Sequence, residues 1–201
     1  MKRPIAELRI MAVPAGAEAE WLRDEHEMWQ ILRRKQGYVT HRIYQALREA
    51  AQRLVYSEWD SKKALDGARQ QFQGTPLARR MRAALAAPPE RSVVELVGPI
   101  TSTKGLDLPE TAVAVTAITH LPADVANAAD RHARLGKLLA SQPGHITHVL
   151  FRGFDDPALL GAFSHWQDAT GVENAVASVN GLDAADQLAG LTSVQYHLLR
   201  T

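Results

Sequence analysis

A stretch in the first half of the chain recurs in the second half without a gap. Residues 37–61 match residues 144–168 at a constant offset of 107 positions, from Gly37 to Gly144 onward. The identical pairs are Gly37/Gly144, Thr40/Thr147, His41/His148, Ala51/Ala158, Ser57/Ser164 and Trp59/Trp166. A period near half of a 201-residue chain is too long for a solenoid repeat, so the sequence predicts two copies of one small domain.

Composition and charge narrow the class of protein. The chain is 46% hydrophobic, which is ordinary for a globular protein, and its net charge of +1 argues against a broad electrostatic attraction to nucleic acid or to a membrane surface. It has no cysteine, which excludes disulfides and thiolate metal sites. Glu7 and Arg9 interrupt the apolar run near the start, and no apolar stretch approaches the ~18 residues of a membrane span. We therefore expect a cytoplasmic protein with neither nucleic acid nor membrane among its partners.

Both copies show the same order of predicted elements. In the first copy, we predict strands over 5–13, 38–46, 53–59 and 92–97, and helices over 17–35 and 60–85, the second interrupted at Gly74-Thr75-Pro76. In the second copy, we predict strands over 112–119, 145–154, 159–166 and 193–199, and helices over 123–140 and 171–188. Each copy therefore has the β-α-β-β-α-β order of a ferredoxin-like domain. We expect copy 1 over residues 1–98, a linker over 99–110 and copy 2 over 111–201.

This order predicts an α+β fold with antiparallel sheets that carry both helices on one face. The other face of each sheet would be an association site if it were left bare. A second copy can cover it, either from the other half of the same chain, as an intramolecular pseudo-dimer, or from a second chain, as a homodimer. The sequence leaves both arrangements open.

Two short segments carry a resemblance to a known family. Glu58-Trp59-Asp60-Ser61, followed by Gly74-Thr75-Pro76-Leu77, resembles the antibiotic biosynthesis monooxygenase family of the dimeric α+β barrel superfamily. Trp166-Gln167-Asp168-Ala169 resembles it more loosely. The resemblance implies a tandem, two-copy form of that barrel fold. It also implies a range of activities, because the superfamily includes cofactor-free oxygenases of polycyclic aromatics, haem-degrading enzymes and isomerases.

The haem-degrading branch can be compared with this chain position by position. That branch uses an asparagine on the first strand, with a tryptophan and an axial histidine on the second helix. The matching positions here hold Leu8, Gln71 and Met81, none of which has the required chemistry. We therefore expect no haem-degrading activity, and we predict no cofactor and no metal.

One polar residue interrupts the apolar face of the first helix in each copy. Glu25 lies at helical spacing from Trp21, Met28 and Leu32, and the same offset places His132 in the second copy. A buried carboxylate or imidazole needs a partner, so both residues are candidates for a polar pocket. The alternative is that both lie at the edge of the face, in water.

The strands add further residues that can move protons or bind metal. The offset pairs His41 with His148 and Glu58 with His165, and these residue types serve in general acid–base catalysis and as metal ligands. Whether they share a face depends on the register of the hairpin, because a slip of one residue reverses the face. A histidine among apolar neighbours can equally be a hydrogen-bonded core residue.

The family resemblance implies an aromatic pocket with a base and a donor for an oxyanion. Trp59 and Trp166 end the third strand of each copy and either line such a pocket or simply pack the junction with the helix. We predict catalytic roles for His41, Glu58, Trp59, His148, His165 and Trp166, and substrate-binding roles for Glu25, Arg42, Tyr44, Tyr56 and His132.

Three hypotheses for function remain. The first is a small-molecule-binding protein that resembles cofactor-independent monooxygenases and acts on an aromatic or quinol-type substrate. The second is a non-catalytic binding or structural barrel protein, and the third is a haem- or metal-binding member of the superfamily. The residues do not indicate which half would carry the site.

Overall fold

A computed structural model of the chain describes residues 4–97, 102–120, 128–180 and 192–199. The fold is α+β, with helices packed on antiparallel strands, so the predicted fold class is confirmed. The chain divides into two compact units, one of residues 1–93 and 199–201 and the other of residues 94–198. No helix among the described residues is long and apolar enough to cross a membrane.

The first unit has its elements in the predicted order. They are β1 (Ile5–Ala12), α1 (Glu18–Leu32), β2 (Tyr38–Ala46), β3 (Gln52–Trp59), α2 (Lys62–Gln73), α3 (Pro76–Ala83) and the start of β4 (Glu90–Val97). Strand β3 lies between β1 and β2 and is antiparallel to both. The helices cover one face of this sheet, and their apolar residues form one core with that face.

Capping residues explain why the predicted second helix is two helices. Ser61 accepts a hydrogen bond from the backbone N–H of Ala64 at the start of α2, and Thr75 accepts one from Ala78 at the start of α3. Pro76 fits the first turn of α3, where no intrahelical hydrogen bond is needed from its nitrogen. The chain therefore ends one helix and begins another at Gly74-Thr75-Pro76.

The second unit has the same order of elements. They are β5 (Val113–His120), α4 (Ala128–Ala140), β6 (His145–Gly153), β7 (Leu159–Trp166), α5 (Ala169–Asn180) and β8 (Thr192–Leu199). Strand β7 lies between β5 and β6, β8 pairs with β5, and the second half of β4 pairs with β6. The predicted start of helix α4 at residue 123 and the predicted end of helix α5 at residue 188 lie outside the described residues. The predicted domain bounds stay a prediction.

The two central hairpins match each other in detail. The register places His41 opposite Ser57 and His148 opposite Ser164, with an irregularity at the same place in β2 and in β6. The indole nitrogen of Trp59 donates to Ser57 Oγ at 3.1 Å, and that of Trp166 donates to Ser164 Oγ at 2.9 Å. The two tryptophans therefore occupy equivalent places, as the repeat predicts.

Candidate functional site

The first unit contains a cavity of about 430 Å³ between its sheet and its helices. This volume lies within the range of small-molecule sites in proteins. Its apolar wall includes seven aromatic and thioether side chains, namely Trp21, Trp29, Trp59, Phe72, Met11, Met28 and Met81. Six charged side chains also line the cavity, namely Glu7, Arg9, Glu25, Arg69, Arg82 and Arg91.

The charged residues reach the cavity because of strand alternation. Successive side chains of a strand point to opposite faces, so Glu7, Arg9 and Met11 of β1 share the face that carries the helices. Both charged residues are buried, with 5% of Glu7 and 8% of Arg9 exposed. Two charges on the covered face of a strand need partners, which the helices and β4 supply.

Helix α3 closes part of the cavity wall and is tied to α1 by an ion pair. Asp24 is fully buried, and Arg80 donates to it from Nε at 2.8 Å and from Nη2 at 2.9 Å. These hydrogen bonds hold the pKa of Asp24 below its ordinary value. The pair fixes the place of Ala78 and Met81, which line the cavity.

A second ion pair lies in the cavity wall itself. Arg9 Nη2 is 2.9 Å from Glu25 Oε1 and 2.8 Å from Oε2, and Trp29 Nε1 donates to Oε2 at 3.1 Å. Burial raises the pKa of Glu25 above its ordinary value, although Arg9 and Trp29 oppose this effect. Glu25 therefore lies in the core, not at a solvent edge, and is a buried carboxylate with a fixed cation beside it.

A third group of charges surrounds Glu7. Arg69 Nη2 donates to Glu7 Oε1 at 2.6 Å, and Arg91 Nη1 lies 3.6 Å from the same oxygen. The side chains of Arg69 and Arg91 are 22% and 42% exposed, so this group extends from the interior towards solvent. One carboxylate thus faces two guanidinium groups.

His41 lies behind the cavity wall and is not among its lining residues. Its ring stacks on Trp29, with centroids 4.2 Å apart and planes at 11°, and its Nδ1 is 2.6 Å from the hydroxyl of Tyr38. Burial, helped by the charge of Arg9, lowers the pKa of His41 to about 4, so its ring is neutral near pH 7. The structure therefore brings Glu25 and Trp59 together in the cavity and places His41 one side chain away.

Four other predicted residues lie on the opposite face of the same sheet. The register pairs Arg42 with Tyr56 and Tyr44 with Leu54, so Arg42, Tyr44, Tyr56 and Glu58 point away from Trp59 and from the cavity. Tyr56 donates a hydrogen bond to Glu58 Oε1 at 3.0 Å, and burial raises the pKa of Tyr56 well above its ordinary value. The set of Glu25, His41 and Glu58 therefore does not form one cluster.

The predicted residues of the second unit are divided in the same way. His148 shares a face with Trp166, and its Nδ1 is 3.1 Å from Nε2 of His145. His165 is fully buried on the other face, edge-on to Phe163 with ring centroids 4.8 Å apart. The side chain of His132 lies outside the described ones.

The charged cavity residues are not repeated in the second unit. The strand registers place Glu7 opposite Ser57 and Val115 opposite Ser164, so Val115 corresponds to Glu7, and likewise Ala117 corresponds to Arg9. Gly136 corresponds to Trp29, and a Cβ at Gly136 would come within 2.8 Å of His148 Nε2. The helix backbone therefore occupies, in the second unit, the place that an indole ring occupies in the first.

Solved structures show where this fold occurs. No family model and no curated protein matches the chain. A presumed monooxygenase from Fusobacterium nucleatum matches with a TM-score of 0.73 at 10% identity, over 98% of this chain and 93% of that chain. An anthrone oxidase-like protein matches with a TM-score of 0.67 at 14% identity, over 98% of this chain and 92% of that chain. A presumed chlorite dismutase matches with a TM-score of 0.68 at 14% identity, over 100% of this chain and 96% of that chain.

The chain has the fold of solved structures named as presumed monooxygenases. The resemblance expected from the sequence is thereby confirmed for the fold. At these identities the likeness extends to the fold alone, so the chemistry of this chain must come from its own side chains. Among the described residues, no group of three or more histidine, aspartate or glutamate side chains is placed to hold a metal ion.

Sequence reasoning missed most of the polar residues of the cavity. Glu7 and Arg9 alternate with the apolar residues Ala6, Leu8 and Ile10, a pattern that usually indicates that the charged side of a strand faces solvent. In this fold the helices cover that side instead. Trp29 carried a usable signal, because it lies four residues after Glu25 and thus on the same helical face. Arg69 and Arg91 gave no signal, since their role depends on contacts across the fold.

Proposed function

We propose that the cavity of the first unit binds a planar aromatic molecule of the phenol, quinol or anthrone class and oxidises it as a cofactor-independent monooxygenase. The observation that carries the proposal is the buried Arg9–Glu25 pair in a wall that also contains three tryptophans, Trp21, Trp29 and Trp59. Apolar walls with a small number of placed polar groups are typical of small-molecule sites. The fold, which presumed monooxygenases and an anthrone oxidase-like protein share, is consistent with this activity.

Each element of the wall has a part in this proposal. Trp29 and Trp59 supply flat surfaces against which an aromatic ring packs. Arg9 supplies a fixed positive charge for the phenolate or enolate oxygen that develops when the substrate loses a proton. Glu25 accepts that proton, and its raised pKa makes it a stronger base than an exposed carboxylate.

The reaction needs no electron donor other than the substrate. Deprotonation of an anthrone-type methylene gives a carbanion that transfers electrons to O₂, and a carbon–oxygen bond forms. Loss of water then leaves a carbonyl, so that one CH₂ group and one O₂ give one C=O group and one H₂O. One oxygen atom enters the product, and the other leaves with both methylene hydrogens.

A second candidate is ligand binding without chemistry. The observation in its favour is that Glu25 already accepts hydrogen bonds from Arg9 and from Trp29. A carboxylate held in this way serves to build the cavity even if no proton is ever moved. The two candidates therefore share a ligand class and differ in the role of one residue.

Oxygen uptake with 1,8-dihydroxyanthrone separates the two candidates. We expect uptake above the autoxidation of the free anthrone, incorporation of one atom of labelled oxygen into the product, and a loss of about 10² in rate in Glu25→Gln with anthrone binding retained. If the wild type binds the anthrone without oxygen uptake, the oxygenase proposal is rejected and ligand binding without chemistry is retained. A lack of binding would reject both.

A further inference from the structure

We propose that the ligand of this cavity is an anion, an aromatic carboxylate whose charged group binds at Arg69 and Arg91. This inference deepens the proposed function, and as a statement about the oxygenase it rests on that function. As a statement about binding it can be tested alone. It starts from the balance of charge around Glu7.

The two carboxylates in the cavity wall do not match the nearby cations in number. Glu25 is paired with Arg9 through both of its oxygens. Glu7 is the one carboxylate that the described residues place beside both Arg69 and Arg91. Arg69 Nη1 also lies 3.5 Å from Asp66 Oδ1, but Asp66 is bound by Lys62 at 2.7 Å. Among the described residues, Glu7 is therefore shared by Arg69 and Arg91, and Asp66 is shared by Arg69 and Lys62, so neither arginine has a carboxylate to itself.

The donors of both arginines are incompletely used. Arg69 Nε is buried and forms no hydrogen bond with a described residue. Arg91 approaches Glu7 only to 3.6 Å, which is too long for a hydrogen bond. A partly buried guanidinium with unmet donors is costly, and a bidentate carboxylate is the group that matches its planar fork.

The position of this group fits a ligand that also reaches the Arg9–Glu25 pair. Glu7 and Arg9 lie two residues apart on the same face of β1, about 7 Å between their Cα atoms. The ring system would lie along the tryptophan wall, with its reacting carbon at Arg9 and Glu25. Its carboxylate would then lie towards solvent, where Arg91 is 42% exposed.

The charge of the ligand is tested with two probes of one shape. Anthracene-2-carboxylate and anthracene-2-carboxamide have the same ring system, and only the first is an anion. We expect the wild type to bind the carboxylate at least tenfold more tightly than the amide, as measured by calorimetry and by quenching of tryptophan fluorescence. The preference should shrink as ionic strength rises, because salt screens partly exposed charges.

Substitutions then assign the preference to one side chain. Arg91→Gln should bring the two affinities within about twofold by weakening the carboxylate and leaving the amide unchanged, whereas Arg91→Lys should retain part of the preference. Arg152→Gln is the matched control, because Arg152 is 41% exposed and is likewise paired with one glutamate, Glu95. It should leave both affinities unchanged.

Three results would overturn the inference. They are equal affinity of the wild type for both probes, binding of neither probe, and an equal loss in Arg91→Gln and Arg152→Gln. The wild-type comparison decides the question even if a variant fails to fold. Oxygen uptake with the neutral 1,8-dihydroxyanthrone is scored separately, so an anion site without oxidation and oxidation without an anion site are distinct outcomes.

Discussion

Arg9 and Glu25 form a buried ion pair, with Arg9 Nη2 2.8 Å from Glu25 Oε2. The side chains are 10% and 1% exposed, so water hardly reaches either charge. The pair joins β1 to α1 across the cavity wall. It therefore links the packing of the first helix to the chemistry of the candidate site.

Removal of one partner of this pair should lower the free energy of unfolding far more than removal of both partners. Glu25→Ala leaves the Arg9 guanidinium buried without its counter-charge, and we expect a loss of about 3–5 kcal/mol in the free energy of unfolding. The double variant Arg9→Met/Glu25→Leu replaces both charges with apolar groups and should recover most of that loss. Urea unfolding measures both. A cost below about 1 kcal/mol for Glu25→Ala would contradict the buried character of the pair.

The equivalent tryptophans offer a test of which unit binds the ligand. Trp59→Phe and Trp166→Phe each remove an indole hydrogen bond to a serine, so both should lose stability by similar amounts of about 1 kcal/mol. Only Trp59 lines the described cavity. We expect Trp59→Phe to weaken the binding of anthracene-2-carboxylate at least fivefold and Trp166→Phe to leave it unchanged. Equal effects on binding would place the ligand elsewhere.

The repeat made much of the fold predictable. Gly37 and Gly144 directly precede the second strand of each unit, with φ of 83° and 78°, and the repeat in the sequence matches them directly. Local signals, such as the Gly74-Thr75-Pro76 break and the alternation in the hairpins, act within a few residues and can be read from the chain. The order of elements follows from such signals.

The site was less predictable because it depends on which face of each strand the helices cover. His41, Glu58 and Trp59 were grouped from residue type, and a register that puts His41 opposite Ser57 sends Glu58 to the other face. The partners of Arg9 and Glu7 come from elements 16 to 84 residues away. No local pattern contains that information.

A glycine comparison tests the turn that begins the repeat. A Cβ at Gly37 would lie 2.4 Å from Asp60 Oδ1 and 2.5 Å from the Cβ of Ala64, whereas a Cβ at Gly16 would meet nothing within 4 Å. Both residues have φ near 85°, so both alanine variants carry the same backbone strain, about 1–2 kcal/mol. We expect Gly37→Ala to lower the thermal midpoint distinctly more than Gly16→Ala. Similar midpoints would show that the turn relaxes around the methyl group.

The buried imidazole of His41 should make stability depend on pH. Its pKa is about 4 in the folded protein and about 6.5 when unfolded, so between these values the unfolded chain binds more protons. The stabilisation that comes from the neutral His41 is therefore fully present above about pH 6.5 and is lost as pH falls towards 4. We expect the drop in unfolding free energy from about pH 7 to about pH 5 to be smaller in His41→Gln than in the wild type.

His41→Gln must be compared with the wild type because other groups also change the stability between about pH 7 and about pH 5. Burial also lowers the pKa of His145 and His148, which adds to the drop in both proteins. The raised pKa of Glu25 acts in the opposite direction, since the folded state then binds its proton more readily. An identical pH dependence in His41→Gln and the wild type would show that His41 is not desolvated.

Glu7 should compete with the carboxylate of the ligand for the same two arginines. Glu7→Gln removes that competitor, leaves Arg91 without its neighbouring carboxylate and leaves Arg69 with Asp66 alone, at 3.5 Å, so the free protein should lose about 1–3 kcal/mol of stability. The affinity for anthracene-2-carboxylate should rise about tenfold, or about 1.4 kcal/mol, while the affinity for the amide stays the same. Glu20→Gln, which removes an exposed carboxylate paired with Arg23, should change neither affinity. A fall in carboxylate affinity in Glu7→Gln would mean that Glu7 positions the arginines and does not compete for them.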